Sequence, residues 1–128
     1  MFKYYILLSL YLKNLDIPSD EIVSEPNVWE QANAECLSQN KRLLEVRTDE
    51  EFRMAQKILS EIDLYWLGGN DQDEEANWKW ESDGSDVIDF WSLGQVRVNE
   101  VNDCLIIAGF GLYDAYCSYR HPFACVEP

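Results

Sequence analysis

The chain has 128 residues, enough for one domain around a single core. Hydrophobic residues make up 47% and aromatics 13%, with five tryptophans, so a disordered acidic tail is excluded. A formal net charge of −14 argues against nucleic acid and anionic membranes as partners, which would be repelled, and suits cationic ligands or divalent ions.

The N-terminus, "MFKYYILLSLYLKNLD", places Lys3 before a largely apolar stretch from Tyr4 to Leu12. That order resembles the charged and hydrophobic regions of a secretory signal, although no small-x-small cleavage site follows. The competing reading is an N-terminal strand rich in tyrosine and isoleucine. No stretch reaches the roughly 20 apolar residues that a membrane-spanning helix needs.

Two helices are expected next. "NVWEQANAECLSQN" opens with Asn27 as N-cap and Glu30 three residues later, a reciprocal capping pattern. Val28, Trp29, Ala32, Cys36 and Leu37 share or adjoin one face, and Asn40 suits the left-handed stop. "TDEEFRMAQKILSEI" carries a capping box from Thr48 to Glu51, with Asp49 and Glu50 at the positive end of the helix dipole. Phe52, Ala55, Ile58, Leu59 and Ile62 form its apolar stripe.

After Asp63 the pattern turns to β. "LYWLGG", "NWKWE", "DCLIIAG", "AYCSY" and "PFACV" read as short strands, and "SDGSD" as a turn. Between Asp83 and Asp103 the pattern is irregular, and so long a loop inside a small domain is usually functional. Helices followed by short strands imply an α+β domain.

The run "NDQDEEANWKWESDG" puts four acids between Asp71 and Glu75. It is not a calcium helix-loop-helix: Ala76 stands where that loop needs glycine, and Ser82 where it needs a bidentate glutamate. The run is therefore either a solvated acidic turn or part of a cation site whose remaining ligands come from elsewhere. Cys36, Cys104, Cys117 and Cys125 form no C-x2-C or C-x4-C pair, and His121 is the lone histidine, so a structural zinc site is disfavoured. Two disulfides are expected, with three possible connectivities, in an oxidising compartment.

Taken together, "VSEPNVWEQANAEC", "YWLGG", "WKWESDGS", "NDC" and "DAYCSYRHPFAC" stand in an order from Glu21 to Pro128 that resembles the C-type lectin-like domain. The resemblance implies the family's double-loop α+β fold over residues 18–128, with two helices, short antiparallel sheets and a long loop. Residues 1–17 would then be a signal peptide or N-terminal extension. It also implies nested disulfides, Cys36 with Cys125 and Cys104 with Cys117. In sugar-binding members an E-P-N or Q-P-D triplet and a W-N-D triplet hold one calcium, which in turn binds sugar hydroxyls. Here the corresponding positions read Gln95-Val96-Arg97 and Leu112-Tyr113-Asp114, and Asn102 replaces an expected acid. Arg97 puts a cation where a ligand belongs, while calcium takes six to eight oxygens. The principal calcium–sugar site is thus expected to be degraded.

The family's auxiliary calcium site maps onto Asp71, Glu75 and Asp103, with Asn102 beside them, and Val98 and Asn102 replace two other acids. Calcium there is the one candidate cofactor. The expected ligand face is the long loop and its rim: Gln95, Arg97, Asn102, Tyr113, Asp114 and Trp91, with Trp91 and Tyr113 as its exposed aromatics. His121 is expected at the surface or rim, and nothing in the sequence offers a nucleophile with a partnered base, so no enzyme is expected. The expectation is a secreted module for glycan or glycoprotein; the alternative is a calcium-independent protein-binding module of the same fold.

Overall fold

The computed structural model describes residues 22–59, 63–87, 103–109 and 111–128. The described elements are β1 (Ile22–Asn27), α1 (Trp29–Ser38), β2 (Arg42–Leu43), α2 (Asp49–Ile58), β3 (Tyr65–Asn70), β4 (Lys79–Trp80), β5 (Cys104–Ala108), β6 (Gly111–Ala115) and β7 (His121–Val126). β3 is the hub. It runs parallel to β7 and antiparallel to β5 and β4, while β1 and β6 extend the sheet antiparallel to β7 and β5. β2 adds to β7. The pairing of β1 with β7 ties the first and last described strands together.

Side chains of a strand alternate between faces, and here both faces are buried. Leu67, Leu105, Ile107, Ala124 and Val126 face one cluster with Met54 and Ala55 of α2. Trp66, Ile106, Phe123 and Cys125 face the other, with Trp29, Ala32 and Cys36 of α1. The near-continuous apolar runs of "YWLGG", "CLIIA" and "FACV" are therefore the consequence of a helix on each face. Cys36–Cys125 fastens α1 to β7, and Cys104–Cys117 fastens the start of β5 to the turn after β6, each with 5.2 Å between Cα atoms.

The second helix begins as the sequence specifies: Thr48 Oγ1 accepts from Glu51 N, and Glu51 Oε1 accepts from Thr48 N. Its inner face is Met54 and Ala55, with Phe52 and Ile58 half-buried against the same cluster and Leu59 at the cap; Ile62 lies outside the described residues. The first helix begins differently. Asn27 ends β1 instead of capping α1: its Oδ1 accepts only from Val28 N, and its carbonyl accepts from Trp66 Nε1. The start of α1 is satisfied by tertiary contact, Trp29 N donating to the Cys117 carbonyl at 3.0 Å. Asn40 does take the left-handed stop, at φ 58°. Leu37, expected on the apolar face, is 57% exposed.

One expected strand is absent. "AYCSY" is a turn, with Tyr119 N donating to the Tyr116 carbonyl, and the strand precedes it as β6. The disulfide ties Cys117 to the start of β5, while the Cys117 carbonyl accepts from Trp29 N of α1, so the segment bends between the two instead of continuing a ladder. "SDGSD" forms the expected turn, with Gly84 at φ 73° and Trp80 N donating to the Ser85 carbonyl.

Candidate functional site: an acidic cluster at the root of the long loop

β3 ends at Asn70, and the chain turns sharply at once. Asn70 Oδ1 accepts from Gln72 N, while its Nδ2 donates to Glu81 Oε2 at 2.9 Å. Asp71 then folds inward to 3% exposure, and its N–H donates to the Asp103 carbonyl at 3.0 Å, next to the disulfide-bonded Cys104. Asp71 Oδ2 accepts from Ala76 N at 2.8 Å, closing the loop on itself. Ala76 is held at φ 67° to do so, a conformation that a residue with a Cβ seldom adopts.

This arrangement brings together three acids that lie far apart in sequence. Carboxylate oxygens of Asp71, Glu75 and Asp103 all lie within 4.8 Å of one another. Asp71 Oδ1 and Asp103 Oδ1 are buried and have no hydrogen-bond partner. Burial drives the Asp71 carboxyl up to about 7; the Ala76 N–H opposes this, and Asp103 and Glu75 add to the rise. Two orphaned oxygens among three converging carboxylates offer free lone pairs to a divalent cation, so the residues present fit part of the six-to-eight-oxygen shell that calcium takes. The other acids of the run, Asp73 and Glu74, are exposed, with Glu74 Oε2 accepting from Asn77 Nδ2. The solvated-turn reading thus describes Asp73 and Glu74, and Glu75 is exposed as well, but it does not describe the buried Asp71.

The rim of the loop is partly in view. Trp91, Gln95, Arg97, Val98 and Asn102 lie outside the described residues. Tyr113 and Asp114 are half-buried on β6, opposite Ile106 and Leu105 respectively. Strand alternation therefore sends their side chains to opposite faces of the sheet. Tyr113, expected as an exposed aromatic, packs instead against the cluster around Trp66. The exposed aromatics among the described residues are Tyr116 and Tyr119, at 39% and 55% exposure, with ring centroids 4.9 Å apart. They were hidden in the sequence because "AYCSY" alternates like a strand. His121 is half-buried rather than at the rim, edge-on to Trp66 at 4.7 Å, and burial pushes its imidazole pKa down.

A second polar constellation went unread in the sequence. Glu45, 3% exposed between Leu44 and Val46, accepts from Ser82 N and Oγ and is ion-paired with Arg42 and Arg47. Arg47 also bonds Asp83 and Ser85 in the "SDGS" turn, and holds the Asp83 carboxyl well below the usual carboxylate range. The spacing Arg42–Glu45–Arg47, with an acid inside an apolar run, was the available signal.

The model of the lectin C-type domain matches residues 25–127. Among curated proteins, lymphocyte antigen 75 of Mesocricetus auratus is 34% identical over 92% of this chain and 7% of its own length. CD209 antigen-like protein C of Mus musculus is 26% identical over 76% of this chain and 56% of its own. The chain thus spans only part of the relatives it matches. Among solved structures, the mouse scavenger receptor C-type lectin carbohydrate-recognition domain superposes with a TM-score of 0.74 at 27% identity, covering 81% of this chain and 83% of that one. Herring type II antifreeze protein superposes with a TM-score of 0.75 at 20% identity, covering 84% and 87%, and shares the fold. With its helices, sheet order and nested disulfides in agreement, this chain belongs to the C-type lectin domain family.

Proposed function

We propose that the chain is an extracellular, secreted recognition module that binds glycan or glycoprotein through the long-loop face, with its principal calcium–sugar site degraded and an auxiliary calcium site retained. The observation that carries the reading is the cluster of Asp71, Glu75 and Asp103 at the point where the long loop rejoins β5. Calcium held there would neutralise the three carboxylates and tie the end of β3 to the loop's root, leaving the loop tip to make the contacts. Gln95, Arg97, Asn102, Trp91 and Asp114 supply amide, guanidinium, aromatic and carboxylate groups for that purpose. Arg97 in the triplet position argues against sugar coordinated directly to an ion. The carbohydrate-recognition domain of the mouse scavenger receptor, at 27% identity, supports the substrate class.

A second reading has its own observation. Tyr116, Tyr119 and Arg120 are exposed together on one turn, and tyrosine and arginine dominate protein–protein hot spots. In that reading the partner is a protein and the loop face is secondary.

A glycan array run with calcium and with chelator separates the two. The proposed function expects glycan binding that weakens but survives in chelator, and that is lost on replacing Trp91 and Gln95 with alanine. Binding abolished by chelator would mean a working principal site. No glycan binding in either condition would favour the protein partner. Converting Val96→Pro, Arg97→Asp and Tyr113→Asn should create strictly calcium-dependent binding; Leu112 is left alone because it is fully buried and a tryptophan would overpack the core.

A further inference from the structure

The large apolar side chains exposed among the described residues are Leu37, Leu64, Tyr116 and Tyr119, and the two tyrosines adjoin, with ring centroids 4.9 Å apart. They sit on the turn between β6 and β7, which is pinned at several points. Tyr119 N donates to the Tyr116 carbonyl and Trp29 N to the Cys117 carbonyl, each at 3.0 Å. Cys117 Sγ is bonded to Cys104 and accepts from Gln72 Nε2 at 3.6 Å. Tyr119 meets the His121 ring at 6.4 Å, and His121 in turn stands edge-on to the fully buried Trp66. A platform built this way is ordered before any partner arrives, so docking on it carries little of the usual ordering cost.

The segments that abut the turn decide what it would hold. Gln72 belongs to the loop that carries the exposed Asp73, Glu74 and Glu75, and Trp29 opens α1 directly before the exposed Glu30. Arg120 is the one cation within the turn itself. With Asp71, Glu75 and Asp103 set aside for calcium, the exposed Asp73, Glu74 and Glu30 still outnumber it, and the chain carries −14 overall. Burial keeps the His121 imidazole neutral at neutral pH, so no positive charge stands behind the Tyr119 ring. The face of a tyrosine ring attracts a guanidinium or an ammonium, and carboxylates nearby add to that attraction. An acidic partner would be repelled, and so would a second copy of this chain, which brings the same charge.

We infer that the turn from Tyr116 to Arg120 is a docking surface for a basic segment of a protein partner. That segment lays an arginine or lysine side chain on Tyr119 and turns its remaining charge toward Asp73, Glu74 and Glu30. The inference rests on the reading in which the partner is a protein, and supplies the chemistry of that partner.

The test is an amide-resolved NMR titration of the whole chain, in millimolar calcium, with hexa-arginine, hexaglutamate and maltotriose as probes. Salt at about 0.15 M screens diffuse attraction beyond about 8 Å. Hexa-arginine should give saturable shifts at Glu30, Tyr116, Ser118 and Tyr119 and in residues 72–74. Tyr119→Ala, at an exposed position, should weaken binding about fivefold through loss of the ring face, while Tyr119→Phe keeps that face and should bind as the parent does. Replacing Asp73 with asparagine and Glu74 with glutamine, outside the turn, should weaken it about threefold, and Arg120→Ala should tighten it about twofold. Hexa-arginine shifts spread over the acidic surface and unchanged by Tyr119→Ala, or no shift at the turn, overturn the inference. Shifts there with maltotriose alone, or shifts that grow with protein concentration in the absence of peptide, give the surface to a sugar or to a second copy and overturn it too. Hexaglutamate docking at the turn, lost in Tyr119→Ala, overturns the assigned charge but leaves a protein partner standing, and the glycan array decides that reading separately.

Discussion

Replacing Asp71 with asparagine and Glu75 with glutamine tests whether the opening acids hold a cation. The loop itself should survive, because an amide oxygen at position 71 can still accept from Ala76 N, and the new amide N–H can donate to the orphaned Asp103 Oδ1. What disappears is two of three carboxylates whose oxygens lie within 4.8 Å. A ligand that binds only the folded chain stabilises it by mass action, and calcium at roughly ten times its Kd contributes about 1.4 kcal/mol. Extracellular calcium modules have Kd values of about 0.1–1 mM, so about 1–10 mM calcium reaches that excess. For a domain of this size the expected rise in Tm is about 4–6 °C, read by scanning calorimetry against chelator. Magnesium should give less, because it demands tighter octahedral geometry and sheds water reluctantly. The double variant should show no calcium shift and should melt higher than the parent in chelator. An equal calcium shift in that variant would refute the site. A pH arm follows from the Asp71 carboxyl, raised by burial from 3.8 to about 7 in the folded chain. Between those values the folded chain keeps a proton that the unfolded chain has lost, so in chelator the Asp71 contribution to stability falls as pH rises. Calcium competes with the same proton, and its Tm shift should be larger near pH 8 than near pH 5.5.

Removing Cys104 and Cys117 together should cost about 3 kcal/mol in urea unfolding, for a bridge spanning 13 residues, and should shrink the calcium shift by loosening Asp103. An unchanged calcium shift would show that the bridge does not position the acid. Gly69→Ala should cost about 1–3 kcal/mol, because its Cβ would stand 2.6 Å from Leu105 Cδ2 in a closed core; a neutral result would mean that Leu105 can repack. Ala76→Gly should stabilise by about 0.5–1 kcal/mol through relief of the left-handed backbone, with calcium binding intact. A destabilised variant would place the value of Ala76 in limiting the unfolded chain.

The sequence by itself determined those local features whose partners lie within one turn, though not Leu37, which helical spacing placed inward and which is exposed, nor Asn27, which does not cap α1. The Thr48–Glu51 box starts α2 because both partners lie within one turn, and Asn40 stops α1 for an equally local reason. The spaced cysteines and tryptophans, read in order, carried the family resemblance, and it was that resemblance which implied the fold and chose one disulfide pairing among three. The placement of Asp71, Glu75 and Asp103 was legible only through the family resemblance, and their depth was not. That Asp71 is buried with an orphaned oxygen depends on β3 and β5 meeting at that point, 32 positions apart in sequence. Tertiary structure alone also decided that the cap of α1 comes from Cys117, that "AYCSY" bends into a turn exposing two tyrosines, and that Glu45 is buried among arginines. In each case the deciding partner is a distant backbone group or side chain, and a one-dimensional pattern carries no information about which distant groups the sheet will bring together.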